Sequence, residues 1–372
     1  MAAIKRLGIL TAGGDCPGLN AVIRSVAKEA IRAGIEVFGI EDGFLGLIEN
    51  RCRRLGQHEA SGILTEGGTI LGSSNKSNPT RFAVGAEPDG KPIFADVSDR
   101  CLKTIAEHKL DAMVVVGGDG SMTVAHQLWE RAMQSGIDLH FIGVPKTIDN
   151  DLYGTDVTFG FATAVATATD ALDKVSTTAA SHHRVLFVEL MGRNAGWITL
   201  HAGVASGADV ILLPEIPFTF ESLCSFVTAR SKHGDRYSIV AVAEGAKPTG
   251  GEKIVARVDP TSPDPIRLGG IAKYLSDEVE SRTGLECRYV VLGHVQRGGC
   301  PVAADRVLAT QFGHHAVRLL KEGKRHRLVA MQSGRLTDLA LTECAGKQRL
   351  VGLEDQLIAA ARGVGTSFAD GR

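Results

Sequence analysis

Two short acidic segments, each set directly after an apolar run, carry residue types suited to phosphoryl transfer. Val114, Val115 and Val116 give way to Gly117-Gly118-Asp119-Gly120-Ser121, and the run Phe141 to Val144 gives way to Pro145-Lys146-Thr147-Ile148-Asp149-Asn150-Asp151. In the first segment, glycines allow a backbone to approach an anion, and the helix that follows aims its N-terminal amides at it. Asp119 would repel a phosphate directly, so a magnesium ion between them is the arrangement that makes an acid useful there. In the second, Pro145 argues for an extended chain, in which Asp149 and Asp151 share one side with Thr147 beside them. One carboxylate can then take a hydroxyl proton while the other orients the acceptor or the metal. Each segment also has a plainer reading: Asp119 or Ser121 as a helix cap, and Asp-Asn-Asp as a turn held by its own side chains.

Opposite charge stands at other turns. Met191-Gly192-Arg193 and His294 to Gly299, with Arg297, each follow an apolar run, while Arg184 precedes one and Arg288 lies just ahead of another. Arginine grips phosphate through two parallel hydrogen bonds, so several suit a sugar phosphate, although any one alone could be a solvated surface residue. Glu244 closes the run Ile239 to Ala243, where it could accept from sugar hydroxyls. His294 could touch the same phosphate or be a buried, satisfied histidine. A further glycine turn, Thr11 to Asn20 with Gly13 and Gly14, precedes a helical pattern and is by itself a weak signal.

The elements needed to position these residues repeat one unit: an apolar, often β-branched run, a glycine turn, then an amphipathic or Ala-rich helix. That order predicts parallel sheets with helices on both faces. Strands are expected at Leu7–Leu10, Met113–Val116, Phe141–Val144, Val185–Leu190, Val210–Leu213, Ile239–Ala243 and Tyr289–Leu292, and helices at Leu19–Ala33, Met122–Gln134, Ala162–Val175 and Ala303–Lys321. Lys247 to Arg267, with Pro248, Pro260, Pro263 and Pro265, reads as a surface excursion that could hold a short hairpin. At 372 residues the chain is expected to fold as two domains. A formal net charge of -1 gives no case for nucleic acid, and no apolar stretch approaches a membrane span. Met1 to Leu10 lacks a secretory cleavage pattern and is read as leading into the first strand. Seven cysteines without CxxC spacing point to reduced thiols and a cytoplasmic setting.

The segments TAGGDCPGLNAVIR, GGDGS, PKTIDND, MGRNAG, AEG and LGHVQRGG occur in the order found in phosphofructokinases, and the chain resembles that family from about Leu7 to Lys321. The resemblance implies an α/β fold of two doubly wound, Rossmann-like parallel-sheet domains with the active site in the cleft between them. Residues 1–160 plus about 296–347 would bind the donor, and 161–295 plus about 348–372 the sugar phosphate. By matching positions, Asp149 would accept the proton of the 1-hydroxyl of fructose 6-phosphate, supported by Thr147 and Asp151. Asp119 would hold magnesium and Arg193 would stabilise the phosphoryl group in flight. Gly14, Phe44, Asn75, Lys76, Gly118, Gly120, Ser121 and Lys146 would line the donor pocket. Met191, Gly192, Glu244, His294 and Arg297 would contact the sugar phosphate, with Arg184 and Arg288 crossing from a neighbouring subunit of a self-associated enzyme.

Within that family, glycine at position 120 goes with ATP and aspartate with pyrophosphate, because an added carboxylate would fill and repel the place of the α-phosphate. Lys146 is typical of pyrophosphate enzymes but also occurs in a subset of ATP-using relatives. The expected activity is ATP-dependent, magnesium-requiring 6-phosphofructokinase; the alternatives are a pyrophosphate-dependent enzyme and a noncatalytic regulatory subunit. Intact Asp119, Asp149 and Asp151 count against the latter, and the TIDND and HVQRGG segments count against a lipid or NAD kinase. Departures remain: Ser74, Asn75 and Lys76 follow GTILGS where arginine is common. Arg24 and Lys28 match a bacterial effector site, but Gln57, Ser176 and Asp235 replace its basic residues and Asp209 its glutamate. Activation by ADP or inhibition by phosphoenolpyruvate is therefore not assumed, and another effector or none fits equally.

Overall fold

The apolar runs become central strands because helices cover both of their faces, leaving no polar side to alternate with. The computed structural model describes residues 4–232, 234, 236–260 and 265–372; Asp235 and Pro263 lie outside them. In chain order the strands are β1 (Arg6–Thr11), β2 (Glu36–Ile40), β3 (Cys52–Leu55), β4 (Phe82–Ala86), β5 (Pro92–Ala95), β6 (Ala112–Gly117), β7 (His140–Pro145) and β8 (Val185–Leu190). They continue as β9 (Val210–Leu212), β10 (Ser238–Ala243), β11 (Val255–Val258), β12 (Ile266–Leu268), β13 (Cys287–Val291), β14 (Arg327–Gln332) and β15 (Arg335–Ala340).

One sheet is ordered β15-β14-β7-β6-β1-β2-β3 and a second β13-β8-β10-β9. In the first, Val114 sits between Ile9 and Ile142, all strands parallel at that point; in the second, Phe187 sits between Val240 and Tyr289, again parallel. Each parallel strand therefore ends on the same edge of its sheet as its neighbours, which is where the motif turns gather. The expected all-parallel arrangement gives way only at the margins of the first sheet, where β3 and β15 run antiparallel to their neighbours. The excursion after Lys247 does form a hairpin, β11 with β12.

The helix Phe161–His182 runs seven residues past its expected end. Its N-terminal amides are satisfied from afar: the buried Asp305 carboxylate accepts from Thr163 N (2.7 Å) and Thr163 Oγ1 (2.5 Å). Glu189, buried on β8, caps the helix Ile271–Thr283 in the same way, accepting from Gly270 N and Ala272 N at 3.0–3.1 Å. Remote carboxylates at helix N-termini complement the helix dipole and fix how helix and sheet meet.

A single apolar core runs from Leu7 and Ile9 of β1 through Ala164, Ala168 and Leu172 of the helix Phe161–His182 to Val188 and Ile211 of the second sheet. The two sheets thus share packed material rather than meeting through a linker. After β15 the chain returns to the second sheet, where Ile211 N donates to Ser367 O (2.9 Å). No helix among the described residues is long and apolar enough to cross a membrane. All seven cysteines are unpaired.

Candidate active site

At the end of β1 the chain turns through Gly13, whose N donates to Ser74 O (3.1 Å) and whose O accepts from Ser73 Oγ (2.6 Å). These bonds hold the Ser73–Lys76 strip against the glycine turn and open a cleft of about 460 Å³ lined by Gly13, Gly14, Asp15, Gly68, Thr69 and Ser73 to Lys76. Asn75 and Lys76 thus face the cleft. Lys76 also pairs with Asp259 (3.0 Å) at the end of β11.

At the end of β6 a Cβ on Gly117 would overlap the Ser121 side chain, so the tight entry into the next helix requires glycine there. Gly118 is extended and the helix Asp119–Gln134 begins at once, three residues earlier than expected. Among the described residues no side chain hydrogen-bonds the Asp119 carboxylate. A Cβ added to Gly120 would meet no atom within 4 Å, so this position opens onto free space. Lys146, buried just beyond β7, donates from Nζ to Gly14 O, and burial pushes its ammonium pKa down.

The acidic segment after β7 is a turn held by its own side chains, the plainer of the two readings, and not the extended chain argued from Pro145. Thr147 Oγ1 accepts from Asp149 N (3.0 Å) and donates to Asp151 Oδ1 (3.1 Å). Asn150 adopts φ +51°, a conformation asparagine tolerates, and its Oδ1 accepts from Thr158 N (3.0 Å). The hydroxyl of Thr147 therefore brings the two acids together, where the strand alternation invoked from sequence does not. Asp149 Oδ1 is buried with no hydrogen-bond partner. Burial pushes Asp149 up to about 6 against the pull of Arg297, with Glu244 adding repulsion. Asp151 is pushed up to about 7 by burial and then by Asp149.

From the second sheet, β8 delivers Met191 to Gly196 and β10 delivers Glu244. The two turns touch: Gly245 N donates to Gly192 O (3.1 Å), and a Cβ on Gly245 would overlap Arg193 O. Gly192 has φ +141°. Burial raises the Glu244 carboxyl, with the Glu189 charge adding to it, while Arg297 and Arg193 lower it. The Arg297 guanidinium lies against Gly14, and its Nη1 donates to Asp15 O (3.2 Å). Arg297 thereby ties the turn after β13 to the turn after β1.

The structure thus brings Gly14, Asp119, Lys146, Thr147, Asp149, Asp151, Glu244 and Arg297 into one electrostatic neighbourhood, with Arg193 beside Glu244. Phe44 does not line the open cleft; its apolar ring is buried in the core with Leu10 and Met113. His294 is exposed, which excludes the buried, satisfied alternative. Arg184 and Arg288 lie at the opposite end of the second sheet, just before β8 and early in β13, and share Glu286 at 2.8 and 2.6 Å. β8 separates Arg184 from Met191 by roughly 20 Å at the usual rise per strand residue.

Sequence reasoning passed over Gln296, which is fully buried and accepts from Met191 N (3.3 Å), locking the arginine turn to its neighbour. A buried amide inside a polar motif gives no periodic signal. Asp209, weighed as an effector residue, is occupied by Arg230 (2.7 Å) and Ile239 N (2.9 Å). Among the described residues no three His, Cys, Asp or Glu side chains converge as a metal cage.

A family model described as phosphofructokinase matches residues 6–320. The ATP-dependent 6-phosphofructokinase 2 of Clostridium perfringens is 47% identical over 372 residues, 100% of both chains. The pyrophosphate–fructose 6-phosphate 1-phosphotransferase of Amycolatopsis methanolica is 44% identical over 348 residues, 93% of this chain and 96% of its own. Among solved structures, the phosphofructokinase of Pichia pastoris in the T-state superposes with a TM-score of 0.77 and 30% identity over 100% of this chain, which spans 38% of that longer one.

Proposed function

The chain belongs to the phosphofructokinase family, and from that premise we propose how its residues carry out the reaction of its ATP-dependent relatives. That reaction moves the γ-phosphoryl group of ATP to the 1-hydroxyl of fructose 6-phosphate, giving fructose 1,6-bisphosphate and ADP. The observation that carries the reading is the buried, unpartnered oxygen of Asp149 beside Asp151 and within the fields of Arg297 and Glu244. A base raised toward neutral pH and kept from water by its surroundings is matched to a hydroxyl proton.

In the forward direction Asp149 takes the proton of the 1-hydroxyl as that oxygen bonds to the γ-phosphorus. The bond from phosphorus to the bridging oxygen of ADP breaks, and the electron pair leaves with ADP. Thr147 orients Asp149 and Asp151 through its two hydrogen bonds. Arg193 meets the charge on the transferring group. Met191, Gly192, Glu244, His294 and Arg297 hold the sugar phosphate, and Arg184 and Arg288 reach it from a second copy of the chain. Gly14, Asn75, Lys76, Gly118, Ser121 and Lys146 line the donor's place. The donor-binding unit is 1–160 with about 296–347, and the sugar-binding unit is 161–295 with about 348–372.

The acids fit a magnesium ion. Asp119 has no side-chain hydrogen bond among the described residues, and the lack of a protein-only cage suits an ion that arrives on the nucleotide. Asp119 would hold the ion, which would supply neutralisation of the phosphate charge. Open space at Gly120 accommodates the α-phosphate of ATP, which supports ATP over pyrophosphate. Seven unpaired cysteines support a cytoplasmic site of action. Turnover of fructose 6-phosphate measured with ATP, with pyrophosphate, and with and without magnesium tests the reading. Magnesium-dependent ADP formation with ATP is expected; turnover with pyrophosphate alone would overturn it.

A further inference from the structure

Gln348 lies in the segment after β15 and belongs to none of the motifs described above. Its backbone forms a bridge with Leu152, and Arg349 N donates to Asp151 O (2.7 Å), so the segment is pinned alongside the acidic turn. Arg349 reinforces the placement: Nη1 donates to Asp156 O (2.9 Å) and its guanidinium stacks 4.2 Å over Trp197. From that anchored position Gln348 Nε2 donates to Asp151 Oδ2 (3.1 Å), while Gln348 Oε1 accepts from Asn194 Nδ2 (3.3 Å). Asn194 Oδ1 accepts in turn from Lys253 Nζ (2.8 Å), which also donates to Arg193 O (2.7 Å).

The direction of this chain is fixed at the Lys253 end. An ammonium can only donate, so each amide after it has one permitted orientation. Starting at Lys253, Asn194 must present its oxygen to the ammonium and its nitrogen to Gln348; Gln348 must then present its nitrogen to Asp151. The series runs from the second sheet's arginine turn to the first sheet's acidic turn. Thr147 already holds one oxygen of Asp151. Gln348 holds the other, and two bonds on different oxygens leave a carboxylate a single plane.

We propose that Gln348 is a positioning residue for the reaction, acting through Asp151 and setting the acidic turn in register with the turn that carries Arg193. The proposal rests on the reading of the site as a phosphofructokinase centre. Gln348 is exposed, so its bonds compete with water and its contribution lies in orientation rather than in holding the fold together.

Gln348→Glu isolates the link. Its shape is unchanged and it still accepts from Asn194, but it sets a carboxylate against Asp151. Expected is a loss of about tenfold in kcat with the KM values for ATP and fructose 6-phosphate within about threefold, and an unchanged thermal unfolding midpoint. In an Asp151→Asn background, followed with enough enzyme to measure the residual rate, the same change should cost less than about twofold, because residues acting as a unit are non-additive. An unchanged kcat in the single variant, or an equal loss in both backgrounds, would overturn the proposal. Should Gln348→Glu fail to fold, Gln348→Leu enters the same cycle with the same two outcomes. A wild-type enzyme inert toward ATP and fructose 6-phosphate would instead remove the reading on which the proposal stands.

Discussion

The two ends of β8 carry arginines with opposite surroundings. At the carboxyl end, Arg193 lies in the field of Glu244, whose carboxyl Arg297 also acts on. At the amino end, Arg184 pairs with Glu286, which also holds Arg288, on the edge-strand side of the second sheet. One chain therefore gathers the acids, Arg193 and Arg297 in one neighbourhood and leaves Arg184 and Arg288 facing elsewhere. Parallel strands explain the difference, since every turn that follows a strand falls on one edge and every residue that precedes a strand falls on the other.

The sharpest way to break this comparison is Asp149→Ala. It should lower kcat by on the order of 10² to 10⁴ with little change in KM for fructose 6-phosphate. If only KM rises, the carboxyl edge is a binding surface and the contrast with the amino edge disappears. Arg184→Ala should instead raise KM for fructose 6-phosphate by roughly 10- to 100-fold with a smaller change in kcat, the usual cost of losing charge-assisted hydrogen bonds. Hybrid oligomers of Asp149→Ala and Arg184→Ala subunits should be more active than the two parents combined. A mixture no better than its parents would mean that Arg184 does not serve a neighbour.

On the donor side, Gly120→Asp should reduce kcat/KM for ATP by about tenfold or more, since a carboxylate there repels the α-phosphate; equal kinetics for both proteins would discard the role of that position. The mildest test uses pH. Asp149, raised to about 6 by burial, must be ionised to accept a proton, so kcat/KM should fall by roughly tenfold per unit as pH drops below about 6. Arg184→Ala should keep this acid limb and Asp149→Ala should lose it. An identical limb in both variants would assign the titration to another group.

What could be read from the sequence follows from burial. Val114 to Val116 and Val185 to Leu190 announce themselves because both faces are covered, so composition alone marks them. β3, with Arg53 and Arg54, and β15, with Arg335 and Asp338, lie at the margins where one side meets water, and their mixed composition resembles loop. The acids of the site were legible as residue types in motif order. Their geometry was not: the turn at Asn150 and the bridging hydroxyl of Thr147 depend on Thr158, which folds back onto the segment. Phe44, placed by family likeness, packs in the core with Leu10 and Met113, which its sequence position alone does not announce. Gln348 was beyond reach, because its partners Asp151 and Asn194 are far away in sequence and meet it only after the final segment has crossed back between the sheets.

The vacancy around Gly120 has an evolutionary side. A glycine codon ending in a pyrimidine is a single transition away from an aspartate codon, and no neighbouring side chain would have to be rebuilt to admit the new one. On the role proposed for Gly120, preference for a nucleotide over a simple diphosphate would be a shallow trait of this scaffold, with no steric obstacle to losing it.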